Sequence, residues 1–373
     1  MKKKLIAIAI AAAVAAPLTA QAGIDMSGDA RVRYYTNDID ANAPNPAMKG
    51  AQTDSRVSLN ITGTDGKVAM AKVRLEIVNG GAVGGGAPAH GGNAETINVD
   101  HAYISANVGA GVRVTGGKTI ANWGHKFVLW DSPGDRVSIT KKMGDMAFGL
   151  HFSKGTEAGL AASTNDKLDV GGTHLTFTMG KMGGIRHDIV KNDAAGTEGK
   201  RTALYGGAPL VDGWGLGFSY ATVSGDAQAS LNGSDGGDNA TGLMLAAMGK
   251  VADTDLTVGY SSAADGFNTD NDFFTFAGTG AQAGSMLPGL QSSDGNKMTG
   301  LFVIAKMKVN VVDLELGAAS IKSDMAGDPS NTLMSIRATH ALSKSSKVVA
   351  EYGTFSGDML DASTMGARIE TKF

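Results

Sequence analysis

The last nine residues of the chain alternate without a break. Met365, Ala367, Ile369, Thr371 and Phe373 hold one parity, and Gly366, Arg368, Glu370 and Lys372 the other. Successive side chains of a strand point to opposite faces, so as a strand this segment separates an apolar face from a charged one. As a helix it would scatter its charges around the cylinder. The same division recurs far upstream. Ala69, Ala71, Val73, Leu75 and Ile77 oppose Met70, Lys72, Arg74 and Glu76, and Val312, Leu314, Leu316 and Ala318 oppose Asp313, Glu315 and Gly317. Near the start, Met26, Ala30, Val32 and Tyr34 oppose Ser27, Asp29, Arg31 and Arg33.

Segments of about ten residues with this pattern, separated by turn residues, predict an all-β fold: a transmembrane antiparallel β-barrel. The connections alternate in length. Short turns fall at residues 64–66, 108–111, 143–145, 251–254 and 343–346, and long polar loops at 37–54, 79–96, 224–239 and 263–296. Counting hairpins gives about 18 strands, or about 16 if the weak segment 156–163 is dropped. Closure is obligatory, because each unpaired backbone group in hydrocarbon costs several kcal/mol. The first and last strands are therefore expected to pair. Phe148, Phe152, Trp214, Phe218, Tyr220, Tyr352 and Phe373 suit the interfacial girdles of such a barrel.

The N-terminus reads as an export signal. Lys2, Lys3 and Lys4 precede an apolar run over residues 5–18 that contains Pro17, and Ala20-Gln21-Ala22 is a small-x-small cleavage site. The expected organisation is a signal peptide over residues 1–22, cut after Ala22, and one barrel domain over 23–373. The absence of cysteine excludes disulfides, thiolate metal sites and thiol catalysis. With 33 basic and 36 acidic residues there is no electrostatic footprint for nucleic acid.

Catalytic and metal motifs are not evident. Gly116-Gly117-Lys118-Thr119 has Val112 where a phosphate-binding loop needs glycine. The seven histidines lack the i, i+4 spacing of a helical zinc site. No Gly-x-Ser-x-Gly occurs, and no His–acid pair stands out by spacing. The expectation is no enzyme, no cofactor and no resident metal; acidic segments such as 234–238 and 265–272 read as solvated loops, with Ca²⁺ binding there left open.

Three stretches resemble the Gram-negative general-diffusion porins: the opening Ile24-Asp25-Met26-Ser27-Gly28, the run from Asp100-His101-Ala102-Tyr103-Ile104 to Gly116-Gly117-Lys118, and the closing strand ending in Phe373. The resemblance implies an outer-membrane channel, spanning many times, for passive diffusion of small hydrophilic solutes. It also implies a homotrimer set in lipid and lipopolysaccharide, with Phe373 read by the barrel-assembly machinery. It makes residues 118–135 an inward-folded constriction loop, whose Asp131 and Asp135 face a basic wall of Arg56, Lys118 and Arg136, extended by Arg74 and Arg113. Arginines and carboxylates held apart by a barrel leave a transverse field across a water-filled neck. Asp313, Glu315, Glu351 and Glu370 also point inward, which suggests that sign is segregated around the lumen. Two other classes stay open: a substrate-selective channel of the same architecture, and a structural or adhesive barrel.

Overall fold

The computed structural model describes residues 22–39, 50–66, 68–83, 96–125, 127–154, 170–192, 196–211, 213–226, 231, 239–269, 290, 292, 295–359 and 361–373. The strands are β1 (Ala22–Ile39), β2 (Gly50–Asp65), β3 (Ala69–Val83), β4 (Thr96–Gly109), β5 (Val112–Trp123), β6 (Leu129–Met143), β7 (Met146–Lys154), β8 (Val170–Met179) and β9 (Gly183–Asn192). They continue as β10 (Thr197–Pro209), β11 (Gly215–Gly225), β12 (Ala240–Val251), β13 (Thr254–Ala264), β14 (Lys297–Val309), β15 (Val312–Ser323), β16 (Ser330–Ala341), β17 (Ser346–Gly357) and β18 (Ala362–Lys372). Each pairs antiparallel with its sequence neighbours, and β18 pairs back onto β1 from Asp29↔Lys372 to Ile39↔Ala362. The barrel is closed. It has 18 strands rather than 16, and they are complete without segment 156–163, which lies outside the described residues.

Tight turns gather at one end, including residues 180–182 and 310–311 beside those expected, and the strand ends that lead into the long connections gather at the other. Strand parity sets the faces as the alternation requires. On the outside, Val32 is 62%, Ile97 70% and Leu301 62% exposed. Apolar surface bare to this extent all around a closed sheet needs a hydrocarbon phase to cover it. Phe148, Phe152, Phe218, Tyr220 and Tyr352 are exposed on the same face. Toward the long-loop end Thr222, Thr241, Ser262, Thr299, Ser320 and Thr332 take over the outer parity, so the apolar belt ends in hydroxyls.

The seam is fastened by the chain terminus. Gly28 N donates to Phe373 O at 2.8 Å, and Phe373 N donates to Gly28 O at 3.0 Å. The terminal ring lies over Gly28, where a Cβ would overlap it. A side chain on Gly63, one strand away on the same outer face, would meet nothing within 4 Å. Gly28→Val should therefore displace the ring and sharply lower the folded fraction, as read by the heat-dependent mobility of the barrel on gels. Gly63→Val should leave it unchanged, and equal effects would remove the ring–glycine contact from closure.

The inner face departs from the expected ionic lining. On β10–β17 its long-loop half is apolar and buried, with Ala203, Ala221, Val223, Ala240, Met244, Ala263, Phe302, Ile321, Leu333 and Phe355. The reason is that other parts of the chain pack against it inside the lumen: Trp123, Phe127, Val128, Leu231, Phe267 and Leu290 belong to the same buried cluster.

Candidate functional site

The filling begins where β5 and β6 leave the wall. The last pair holding β5 to β4 is Ala102↔Lys118, and the last holding β6 to β7 is Asp135↔Lys154. Beyond these points the two strands pair only with each other, from Thr119↔Gly134 to Trp123↔Leu129. A two-stranded ribbon freed of its neighbours can bend away from the wall. Pro133 is tolerated because the outer edge of this ribbon has no ladder to complete. Gly117, at φ +124°, marks the departure; a Cβ there would meet the Ala102 carbonyl and the Tyr103 backbone.

The tip turns at Gly124 and His125, both at positive φ, and reaches the far wall. Trp123 meets Tyr205 edge-on at 4.9 Å between centroids, and His125 Nε2 lies 3.4 Å from the Gly206 carbonyl on β10. Phe127 and Val128 are fully buried, and Phe127 stacks on Phe267 at 5.8 Å. Wall positions facing the tip are small, Ala203, Ala221 and Ala246 among them, which leaves room for its large side chains. The expected inward-folded loop is thus a hairpin: most of 118–135 is paired strand, with Gly124, His125, Phe127 and Val128 at its tip.

Beside the foot of this hairpin a cavity of about 490 Å³ remains, lined by β3–β5 and the bent end of β5. Lys72, Arg74, His101, Tyr103, Arg113 and Asn122 face it, with Met70 and Ile120. Among the described residues no carboxylate lines it. Arg74 is largely compensated, at 3.1 Å from Glu76, 3.3 Å from Asp100 and 3.8 Å from Asp29. Arg113 Nε instead donates to a neutral partner, Asn107 Oδ1, at 3.1 Å. The cationic character of the cavity therefore comes mainly from Lys72 and Arg113.

The other residues of the proposed wall are dispersed. Arg56 stands beside Arg74 and pairs with Asp29 at 3.6 Å and Glu76 at 3.5 Å. Lys118 Nζ donates to the Val99 carbonyl at 2.5 Å, bridging the point where the hairpin branches off. Arg136 is buried on the inner face of β6, opposite Ser153. Asp135 is exposed and pairs in register with Lys118 at the branch, so it does not face that wall. Asp131 belongs to β6, but its side chain lies outside the described residues.

Signs are interleaved rather than segregated. On β14–β18 the ladder runs Lys306–Glu315 (3.4 Å), Glu315–Arg337 (3.5 Å), Arg337–Glu351 (3.0 Å), Glu351–Arg368 (2.6 Å), Arg368–Glu370 (2.5 Å) and Glu370–Lys347 (2.8 Å). Charges at matching heights on adjacent strands pair because each lowers the cost of facing its neighbour in a confined lumen.

One cluster was missed from spacing alone. His174 Nδ1 lies 2.7 Å from Asp188 Oδ1, while Arg186 Nε donates to Oδ1 at 2.6 Å and Arg201 Nε to Oδ2 at 2.7 Å. On the other side of the ring, His174 Nε2 lies 2.7 Å from Ser153 Oγ. The tight turn at 180–182 carried the signal. Counting equal steps back along β8 and forward along β9 sets His174 opposite Asp188, since turn length fixes hairpin register.

Comparison with known proteins agrees with this architecture. The family model described as Gram-negative porin matches residues 7–360. Among solved structures, Acinetobacter baumannii OccAB4 superposes with a TM-score of 0.65 at 10% identity, covering 95% of this chain and 99% of that one. Pseudomonas aeruginosa OpdK with vanillate gives 0.64 at 9% identity, covering 94% and 98%, and Pseudomonas aeruginosa OccK8 (OprE) gives 0.63 at 11%, covering 94% and 98%. At these identities the likeness is one of fold. No curated protein matches by sequence. With the family matched over nearly its whole length and a closed 18-stranded wall around a narrowed lumen, the chain belongs to the Gram-negative porins, outer-membrane channels through which small solutes diffuse.

Proposed function

We propose that solutes cross through the passage between β3–β5 and the hairpin foot, and that this passage favours anions. The observation that carries the reading is a cavity faced by Lys72 and Arg113 with, among the described residues, no carboxylate in its lining. Cationic groups at a constriction lower the barrier for anions and raise it for cations. Transit needs no cofactor and no covalent step. In this reading Arg56, Lys118 and Arg136 act from the edges of the neck, Arg56 with its charge shared and Lys118 by holding the hairpin root. The same reading includes export with cleavage after Ala22, recognition of Phe373 by the assembly machinery, and a homotrimer in a lipopolysaccharide-bearing membrane.

Reversal potentials in a potassium chloride gradient test the pathway. The wild-type channel should prefer chloride, and Lys72→Gln with Arg113→Gln should shift the reversal potential toward potassium. An unmoved potential would place the conducting path elsewhere. A second reading, a substrate-selective channel, is favoured by Tyr103, Met70 and Ile120 beside these cations, a surface suited to an apolar ring bearing a carboxylate. OpdK was crystallised with such a compound, vanillate. Saturable current block by benzoate, absent with benzyl alcohol, would support it; simple size exclusion without saturation would support general diffusion.

A further inference from the structure

We propose that Ser153, His174 and Asp188 form a nucleophilic site in the lumen wall that is acylated by small carboxylic esters and hydrolyses them. This adds a chemical step to the wall and does not depend on which solutes the passage favours. The three residues lie on the inner faces of adjacent strands β7, β8 and β9, joined by two 2.7 Å contacts, Ser153 Oγ to His174 Nε2 and His174 Nδ1 to Asp188 Oδ1. A nucleophile within hydrogen-bond reach of a base, with the base oriented by a third group, is the arrangement that activates serine.

The proton positions follow from the partners. Two arginines hold Asp188 as an acceptor-only carboxylate. The proton of neutral His174 therefore sits on Nδ1, and Nε2 is left to accept from the Ser153 hydroxyl. Exposure falls in the same order, 9% for Ser153, 3% for His174 and 0% for Asp188, so the serine is the least buried of the three. Room for it is built in: a Cβ on Gly172 would come within 2.6 Å of Ser153 Oγ and 2.7 Å of His174 Nε2. Arg136 is the register partner of Ser153 across the β6–β7 pair and lies on the same inner face, so its positive charge favours a developing oxyanion there.

The wall also contains its own control. Ser138 Oγ lies 2.8 Å from His151 Nδ1, but the other nitrogen of that ring meets the Thr176 hydroxyl at 3.1 Å and no carboxylate. Among the described residues, His151 has a serine but no carboxylate in hydrogen-bond contact to fix its tautomer.

The chemistry balances with water as co-substrate. Ser153 Oγ bonds to the ester carbonyl carbon and its proton passes to His174 Nε2. The ester C–O bond then breaks, and the alcohol leaves with that proton. Water, deprotonated by His174, attacks the acyl carbon, releases the carboxylic acid and returns the proton to Ser153.

The test uses the full chain folded in detergent, treated with a fluorophosphonate probe and with p-nitrophenyl acetate. Ser153 is expected to carry the label. Ser153→Ala should abolish labelling and ester turnover, and His174→Gln should slow both by at least about a hundredfold, the range of general-base assistance. Ser138→Ala should change neither. Asp188→Asn should flatten the rise of labelling with pH across the histidine range, which a purely structural role would not do. Each variant is first checked for the folded gel mobility; should Asp188→Asn fail there, the serine and histidine variants still decide. No labelling of the folded wild type, or labelling that survives Ser153→Ala, overturns the proposal.

Discussion

Phe127→Ala should widen the channel. The ring is fully buried, stacked on Phe267 and surrounded by small wall residues that cannot close around a void. Removing a buried phenylalanine costs about 3–5 kcal/mol. Here the loss falls on the seating of the hairpin rather than on the wall, whose strand ladder does not include residues 119–134. The expected result is a larger and noisier single-channel conductance with the folded gel mobility retained. Phe152→Ala, on the lipid face of β7, should leave conductance as it is. A Phe127→Ala channel of wild-type conductance would mean that the tip is held by its remaining contacts, chiefly Trp123 against Tyr205.

Asp188→Leu should produce the largest loss of barrel stability by a single substitution in the lumen wall. Removing this carboxylate leaves Arg186 and Arg201, at 7% and 4% exposure, without the anion that both contact. Breaking a buried pair by deleting one partner costs about 3–5 kcal/mol, chiefly through the uncompensated charge that remains. Replacing all three by similar-sized apolar residues is often neutral. The triple variant Asp188→Leu, Arg186→Met, Arg201→Met should therefore recover most of the heat resistance that the single variant loses. Thermal conversion of the folded gel band measures both. A triple variant as weak as the single one would assign the loss to packing rather than to charge.

Much of the barrel was legible because parity is a local property. Arg31, Arg33, Lys72 and Arg74 alternate with apolar neighbours, and that alone sets them facing inward. The seam followed from closure, and the tight turns from short polar breaks. The strand count was legible only as a choice, since it turned on segment 156–163.

What the alternation could not show was where a strand stops belonging to the wall. Residues 119–123 and 129–134 continue β5 and β6 as paired strand, and they depart because β4 and β7 cease to pair with them. That depends on neighbours rather than on the residues themselves. The apolar inner half was hidden for a related reason: alanines such as Ala203 and Ala221 lie on the inner parity, where small side chains mark contact with a folded-in segment. Asp135 illustrates the cost, for its place at the branch point turns an expected lining carboxylate into the register partner of Lys118. The relay from Ser153 to Asp188 joins residues far apart in sequence, and only the register of three strands makes them neighbours.

The hairpin separates two quantities that a simple barrel ties together. In an empty cylinder the number of staves fixes the diameter of the hole. Here a packed partition resting on small inner-wall residues occupies part of the cross-section, so the sieving limit belongs to a ribbon of a few residues. Sequence drift at Phe127, Val128 or their alanine seats can retune the cut-off of this sieve while every hoop of the cask stays in place.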